Sequence, residues 1–369
     1  MKEFFLKRKP TGYVVPIEFE SRVKYPVQEV PVESPINEEF IAIGRVINSV
    51  PEYPAKLFKS SLFRHILIAG TTGSGKSHTA SIIAERVTKI LGIPTIILDW
   101  HSEYRQLLLD YSVIDPYDTS LQLFTGDPND ISAISNVLEL TPPQEYLLER
   151  LLKRIEVSKL KTLEAFLDYL ESLPDESSWM RESKLSLHRK LSLLIRDNYS
   201  SLFKLHSHVQ YPTLQDVLSE LNRSVPCIVD LGRIADTSVR KLYAVFLLKR
   251  LVDFLAPSKK PILVVIEEAQ NYLLRNQAIK LICEMLREVR KFNFGLVAIS
   301  QSIQQLADDA IVNTNTKIFH AIKSRSDLEL VEKTLYIDIQ LLMTLPYIEP
   351  GEAVYSTPTL KKAVLIRVE

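Results

Sequence analysis

With 369 residues, the chain has room for two domains, or for one core that carries a large insertion. Its hydrophobic content of 46% and charged content of 24% are ordinary for a globular protein. The 45 basic residues equal the 45 acidic ones, which argues against holding DNA by bulk charge alone but allows basic residues that line one channel. No apolar run approaches the ~18 residues of a membrane span and no secretory leader is evident, so we expect a cytoplasmic protein with no membrane partner.

The first sixty residues differ from the rest of the chain. Seven prolines fall within them and exclude long helices there. The segments Tyr13–Phe19 and Phe40–Ile47 have the composition of short strands. We therefore expect residues 1–60 to form a small β-rich N-terminal lobe, a partial barrel.

A phosphate-binding loop of the form G-x-x-x-x-G-K-[ST], a Walker A or P-loop sequence, follows this region. An apolar run, His65–Ala69, precedes the loop and predicts a buried strand, and helical spacing follows it until Gly92 and Pro94. Loop N–H groups would bind phosphate, Lys76 would reach the β- and γ-phosphates, and Ser77 would bind Mg²⁺. A glycine-rich turn without a ligand is the alternative. The sequence thus predicts a site for ATP and Mg²⁺, made by Gly70, Thr71, Thr72, Gly73, Ser74, Gly75, Lys76 and Ser77.

Residues 131–221 carry helical signals and few strand signals. Apolar residues recur there at steps of three and four. We interpret the block as a helical insertion that packs on the edge of the core. Its predicted helices are Ile131–Leu138, Pro142–Ile155, Leu163–Leu173, Arg181–Ile195 and Leu214–Leu221.

Strand and helix signals alternate on either side of that block, which predicts an α/β core formed by residues 61–130 and 222–369. In such sheets the ligand crevice lies at the carboxyl ends of the strands. The predicted helices after the insertion are Val239–Phe254 and Lys280–Phe292. The predicted core strands after the phosphate loop are Thr95–Asp99, Val113–Asp115, Leu121–Phe124, Pro226–Leu231, Pro261–Glu268, Gly295–Ser300, Thr316–Ala321, Ala353–Tyr355 and Ala363–Val368.

Two of these strands end in residues suited to ATP hydrolysis. The apolar run Ile262–Ile266 delivers Glu267 and Glu268, of which the first is a candidate Mg²⁺ ligand beside Ser77 and the second a candidate general base. Gln301, after the strand ending at Ser300, is placed to sense the γ-phosphate and orient water. A solvated acidic strand end and a neutral loop glutamine are the alternatives.

Arg287 and Arg290 lie one helical turn apart on the helix before that strand. One interpretation is that the two arginines form part of a solvated basic face, which is the commoner role of such residues. The other is an arginine finger that reaches the γ-phosphate of a neighbouring subunit. Both arginines are therefore candidate catalytic residues.

Together these residues resemble HerA-type ATPases of the HerA/FtsK superfamily. The resemblance runs in order along the chain from about residue 60 to the end, and it departs from the family pattern at Glu267 for aspartate, Ser102 for glycine, and Ser302-Ile303 for arginine-proline. The matching segments are Arg64 to Ser77, Asp99-Trp100-His101-Ser102-Glu103-Tyr104, Glu267-Glu268-Ala269-Gln270-Asn271, Arg287-Glu288-Val289-Arg290-Lys291-Phe292, Ile299-Ser300-Gln301, Asn315-Thr316-Lys317-Ile318 and Gly351-Glu352-Ala353.

The resemblance implies a RecA-like P-loop ATPase core with a helical insertion and the small N-terminal lobe. It also implies an ATP-hydrolysing, helicase-like ring, a homo-hexamer that translocates double-stranded DNA for end processing or repair with a NurA-type nuclease. The alternatives are a plasmid or viral conjugation or DNA-packaging ATPase, and a nucleotide-gated assembly module that binds ATP without moving DNA.

Overall fold

A computed structural model describes residues 28, 38–154, 162–175, 177–205, 221, 224–275, 279–288, 291 and 293–369. The described strands are β1 (Phe40–Val46), β2 (Pro54–Phe58), β3 (Ile66–Ala69), β4 (Thr95–Asp99), β5 (Ser112–Ile114), β6 (Leu121–Gln122), β7 (Phe203–Lys204), β8 (Cys227–Asp230), β9 (Ile262–Ile266), β10 (Phe294–Ser300), β11 (Thr316–Phe319), β12 (Glu352–Ser356) and β13 (Val364–Val368).

The α-helices lie between and beside these strands. Where the chain is described they are α1 (Lys59–Leu62), α2 (Lys76–Leu91), α3 (Tyr104–Leu107), α4 (Pro128–Val137), α5 (Pro142–Arg154), α6 (Leu163–Ser172), α7 (Ser178–Leu191), α8 (Thr237–Leu255), α9 (Lys280–Glu288), α10 (Asp308–Asn313), α11 (Arg325–Thr334) and α12 (Ile339–Thr344).

Eleven of the strands form one mixed sheet in the order β2-β1-β13-β12-β11-β3-β10-β9-β4-β8-β5. The run from β11 to β5 is parallel throughout, and the four strands at the other end are antiparallel. Strands β3, β4, β8, β9, β10 and β11 are buried at every residue, because a hydrophobic cluster covers each face of the sheet. The α/β class predicted from the sequence is confirmed.

The described part of residues 1–60 differs from the expected separate lobe. Strands β1 and β2 continue the main sheet, since β1 pairs antiparallel with the C-terminal strand β13. Gly44 makes this pairing possible: its φ is 150°, and a Cβ there would lie 2.0 Å from the Arg367 carbonyl oxygen. The predicted strand Tyr13–Phe19 lies outside the described residues.

The helical segment after β6 packs on one face of the sheet. Helices α4 to α7 share a single hydrophobic cluster with α8 and the strands, with Ile134, Leu148, Phe166 and Leu187 among its fully buried members. Two short strands that close the segment, β6 and β7, form a parallel pair of their own. Most of the predicted helix Leu214–Leu221 lies outside the described residues, and the boundaries 131 and 221 stay a prediction.

A buried ion cluster joins this segment to α8. The Asp130 carboxylate lies 3.2 Å from Lys249 Nζ and 2.9 Å from Arg250 Nη2, and its side chain is 1% exposed. Lys249 also contacts Asp127 and Asp253. Because buried charges cost free energy unless they are paired, the cluster fixes how α4 and α8 meet.

Asp130→Ala is expected to lower the free energy of unfolding by about 3 kcal/mol, since it removes a buried carboxylate shared by two cations. Urea unfolding followed by tryptophan fluorescence checks this value. Glu149→Ala, which breaks an exposed pair with Lys153, is the matched control and is expected to cost under about 0.5 kcal/mol. Equal effects of the two substitutions would contradict a role for the buried cluster.

No helix in the described ranges has the length and apolar character required to cross a membrane.

Candidate nucleotide site

The predicted phosphate loop lies where β3 ends at the centre of the sheet, and α2 begins directly after it. Gly75 caps the helix with a φ of 106°, a left-handed conformation that a residue with a Cβ adopts at a cost. Gly73 also has a positive φ, 76°, and open space around its Cα. The loop therefore leads its backbone into an α-helix N-terminus, the arrangement that binds phosphate.

Two residues far along the chain, His320 and Gly351, pack against the phosphate loop. A Cβ at Gly70 would lie 2.7 Å from the His320 Cβ, and a Cβ at Gly75 would lie 3.0 Å from the Gly351 nitrogen. Gly351 N–H donates to the Ser74 carbonyl oxygen at 3.1 Å. The glycines at 70 and 75 are thus required by close packing as well as by φ.

His320 is a fully buried, neutral member of this support. Burial lowers the pKa of His320 to about 4. Its Nδ1 lies 2.9 Å from the Glu352 carbonyl oxygen, so Nδ1 carries the proton, and Nε2 accepts from Thr79 Oγ1 at 2.8 Å. The ring therefore links the first turn of α2 to strand β12.

Lys76 and Ser77 occupy the first turn of α2 and face the acids. Lys76 is 9% exposed, and its Nζ donates to the Thr71 carbonyl oxygen at 3.0 Å, so the side chain folds back over the loop. Burial lowers the pKa of Lys76, while the charges of Glu268, Glu103 and Glu267 oppose that shift. Ser77 Oγ lies 3.5 Å from Glu267 Oε1. The predicted phosphate and metal ligands are therefore adjacent.

Glu267 shares its site with Glu103, a residue not predicted as part of it. Burial, together with the hydrogen bond and charge of Glu103, raises the pKa of Glu267 to about 9. Burial also raises the pKa of Glu103, but hydrogen bonds with Glu267 and Ser77 outweigh it and leave that pKa below its ordinary value. The two carboxyl groups thus share one proton, held mainly on Glu267.

The turn after β4 positions this pair. The main-chain N–H groups of Trp100 and His101 donate to Glu267 Oε2 at 2.9 and 3.3 Å. Asp99, fully buried, accepts from the N–H groups of His101, Glu103 and Tyr104 and so closes the turn. Burial raises the pKa of Asp99 despite these donors. The turn therefore fixes the acidic site through its backbone.

Ser102 explains one departure from the family pattern. Its φ is 61°, a left-handed conformation that the glycine expected here from the resemblance would adopt at no steric cost. The Ser102 hydroxyl donates to Asp230 Oδ1 at 2.5 Å, and Arg105 pairs with the other oxygen of Asp230 at 2.8 Å. These polar contacts offset the strain of the turn.

Glu268 and Gln301, predicted from two separate strands, are in direct contact. Gln301 Nε2 donates to Glu268 Oε1 at 2.9 Å, and Thr72 Oγ1 of the phosphate loop lies 3.4 Å from Gln301 Oε1. His101 Nε2 lies 3.4 Å from the same carboxylate oxygen, and Gln270 donates to the other. Glu268 itself has φ 50° and ψ 48°, a conformation that costs about 1–2 kcal/mol. Strain of this kind is typical of functional positions.

Of the two candidate arginines, Arg287 lies within the described residues and does not contact this cluster there. Arg287 is exposed on α9 and forms an ion pair with Asp309 of the same chain, with Nη2 at 2.5 Å from Oδ2. Arg290 lies outside the described residues. A role for either one on a neighbouring subunit stays a prediction.

Sequence reasoning missed Glu103, His320 and Gln270 as members of the site. Glu103 was visible as part of the segment Asp99 to Tyr104, directly after a predicted strand, which is the signal that would have assigned it. Gln270 carried the same signal, since it lies in the segment Glu267 to Asn271 directly after another predicted strand. His320 gave no such signal, because only the pairing of β11 with β3 brings it beside the phosphate loop.

Comparison with known proteins adds to this geometry. The family described as "Helicase HerA, central domain" matches residues 41–251, more than half of the chain. The DNA double-strand break repair helicase HerA of Sulfurisphaera tokodaii is 24% identical, and the alignment covers 100% of this chain and 81% of that protein. The helicase of the same name from Saccharolobus solfataricus is 25% identical over 89% of this chain and 68% of its own length.

Solved structures share the fold at lower identity. VirB4 of Thermoanaerobacter pseudethanolicus aligns with a TM-score of 0.65 and 18% identity over 91% of this chain and 98% of its own. The plasmid coupling protein TrwB in complex with the ATP analogue ADPNP aligns with a TM-score of 0.65 and 14% identity over 94% and 95% of the two chains. These likenesses confirm the RecA-like P-loop ATPase fold.

Proposed function

We infer the function of this chain from the premise that it belongs to the HerA family, whose central-domain model matches residues 41–251. We propose that it is an ATP-hydrolysing motor that translocates double-stranded DNA. The observation that carries the proposal is the convergence of Lys76, Ser77, Glu267, Glu268 and Gln301 at the ends of neighbouring strands. Relatives named as DNA double-strand break repair helicases support DNA as the substrate.

Each of these side chains has a separate role in ATP hydrolysis. Lys76 and the loop N–H groups from Gly70 to Ser77 bind the phosphates. Glu268 accepts a proton from the water that attacks the γ-phosphate, and Gln301, between Thr72 and Glu268, orients that water and senses the phosphate.

The donor set near Ser77 fits a magnesium ion. The carboxyl groups of Glu103 and buried Glu267 lie against each other beside the Ser77 hydroxyl, and a bound cation would let both of them ionise. Ser77, Glu267 and Glu103 would hold Mg²⁺, directly or through water. Bound Mg²⁺ would neutralise charge on the β- and γ-phosphates.

Glu103→Gln is expected to weaken the affinity of the ADP-bound protein for Mn²⁺, a spectroscopic substitute for Mg²⁺, by about tenfold, since it removes one of two carboxylates. Electron paramagnetic resonance titration of free Mn²⁺ measures this without hydrolysis. Glu85→Gln, on the exposed side of α2, is the matched control and should leave the affinity within twofold. An unchanged affinity in Glu103→Gln would remove Glu103 from the metal site.

We propose further that the chain works as a homo-hexameric ring and cooperates with a NurA-type nuclease at DNA ends. Family membership supports this assembly, and the zero net charge allows it provided that basic residues line one channel. Within a ring, Arg287 and Arg290 are the candidates for a residue supplied by the neighbouring subunit.

ATP turnover with and without linear duplex DNA tests this function, with the mass in solution measured alongside. A translocating motor is expected to hydrolyse ATP several-fold faster on DNA and to have a mass of about six chains. A nucleotide-gated assembly module would bind ATP with no stimulation by DNA. That result, with the fold intact, would contradict the proposal.

A further inference from the structure

Side-chain hydrogen bonds as well as the backbone conformation position Glu268. It lies just beyond β9 in a left-handed conformation, and a short 3₁₀ turn, Ala269–Asn271, follows it. In this turn the Asn271 N–H donates to the Glu268 carbonyl oxygen at 2.8 Å. The turn brings the Gln270 side chain back to the carboxylate of Glu268, where Gln270 Nε2 donates to Oε2.

The Gln270 amide contacts a buried strand end as well as Glu268. Gln270 Oε1 lies 3.0 Å from Ser300 Oγ, and Ser300 is the buried last residue of β10. The Ser300 hydroxyl shares its proton between Gln270 Oε1 and the Ser302 carbonyl oxygen, which lies at 2.8 Å, and it accepts from the Ser302 N–H at 3.3 Å. With the amide reversed, its oxygen would face the Glu268 carboxylate, so the nitrogen end faces Glu268.

Gln301 holds the opposite oxygen of the same carboxylate but is anchored differently. Gln301 is exposed, and within the described residues its side-chain oxygen has one polar contact, at 3.4 Å from Thr72 Oγ1, an exposed residue of the phosphate loop. Gln270 is instead tied to a buried strand end. The Gln270 amide thus contacts the buried end of β10, while the Gln301 amide contacts the phosphate loop.

We propose that Gln270 is a positioning residue for hydrolysis: it fixes the Glu268 carboxylate from the core side, so that Gln301 is free to exchange its contact when nucleotide binds. The inference rests on the proposed ATPase function. It assigns the two amides separate roles, since Gln270 sets where the base lies and Gln301 responds to the phosphate.

Steady-state ATP hydrolysis by variants tests this role. Gln270→Met keeps the length but loses the donor, and it is expected to lower kcat at least about tenfold with KM for ATP within twofold, because a misplaced base slows the reaction without changing phosphate binding. Gln270→His keeps an N–H donor and should stay within about threefold of wild-type kcat. Gln304→Met is the control, since Gln304 is exposed and bonds Ser326, and should change neither constant.

The inference is overturned if Gln270→Met has the wild-type kcat, or if Gln270→His loses as much kcat as Gln270→Met does. A KM for ATP that rises as kcat falls also overturns it. Thermal melting confirms that each variant folds. If Gln270→Met does not fold, Ser300→Ala decides: kcat should fall about threefold at constant KM, and an unchanged kcat overturns the role. A wild-type protein without ATP turnover would refute the proposed function itself.

Discussion

Glu268→Gln is expected to bind ATP as tightly as the wild-type protein and to hydrolyse it about 10³-fold more slowly. The amide cannot accept the proton of the attacking water, and general bases contribute roughly 10²–10⁴-fold to such reactions. The substitution keeps the size of the side chain and the donors around it, so the fold and phosphate contacts should persist. Single-turnover hydrolysis and ATP binding by fluorescence titration separate the two effects.

Glu329→Gln is the control for this variant, because Glu329 is exposed on α11 and forms a surface pair with Arg325. Glu267→Gln is expected to behave differently and mainly raise the concentration of Mg²⁺ needed for turnover. If Glu267→Gln abolishes hydrolysis at saturating Mg²⁺ and Glu268→Gln shifts the Mg²⁺ requirement, the assignments of base and metal ligand are reversed.

Lys76→Ala is expected to weaken ATP binding by about 10- to 100-fold and to remove turnover at cellular nucleotide concentrations. The variant loses charge-assisted hydrogen bonds to phosphate, each of roughly 1.5–3 kcal/mol. Among the residues that the structure describes, the Lys76 ammonium donates to one loop carbonyl, that of Thr71, so folding should be little affected. Calorimetric titration with ATP measures the change.

Lys89→Ala, on the same helix, serves as the control for that variant. Lys89 pairs with Glu85 and Asp110 at the surface, and its removal should leave ATP binding unchanged. Binding of ATP to Lys76→Ala at wild-type strength would show that the phosphate loop does not hold the nucleotide in the way proposed.

The strands at the centre of the sheet could be predicted directly from the sequence. Fully buried parallel strands are short continuous apolar runs, so β3, β4, β9 and β10 were predicted within a residue or two. The left-handed Gly92 ends α2 where the sequence placed its end. The candidate residues for hydrolysis could be proposed from the sequence for the same reason, since each follows such a strand.

The remaining elements depend on contacts that no local pattern records. Strand β2 begins with Pro54 and pairs with β1, and β1 joins the sheet by pairing with β13, some 320 residues later in the chain. Helices α11 and α12 are only ten and six residues long, so each offers few turns in which a periodic pattern can be recognised. Some contacts of the site also depend on tertiary structure. Glu103 and Gln270 reach their partners through tertiary packing, and the buried His320 reaches the phosphate loop through the pairing of β11 with β3.

Displacement of a third strand tests the motor most directly. A labelled oligonucleotide is bound as a triplex at one end of linear duplex DNA, and its release is followed after ATP is added to wild-type protein or to Glu268→Gln. We predict ATP-dependent release by the wild-type protein only, with a delay that grows with the length of duplex. DNA-stimulated ATP hydrolysis by the wild-type protein with no more release than Glu268→Gln gives would contradict translocation.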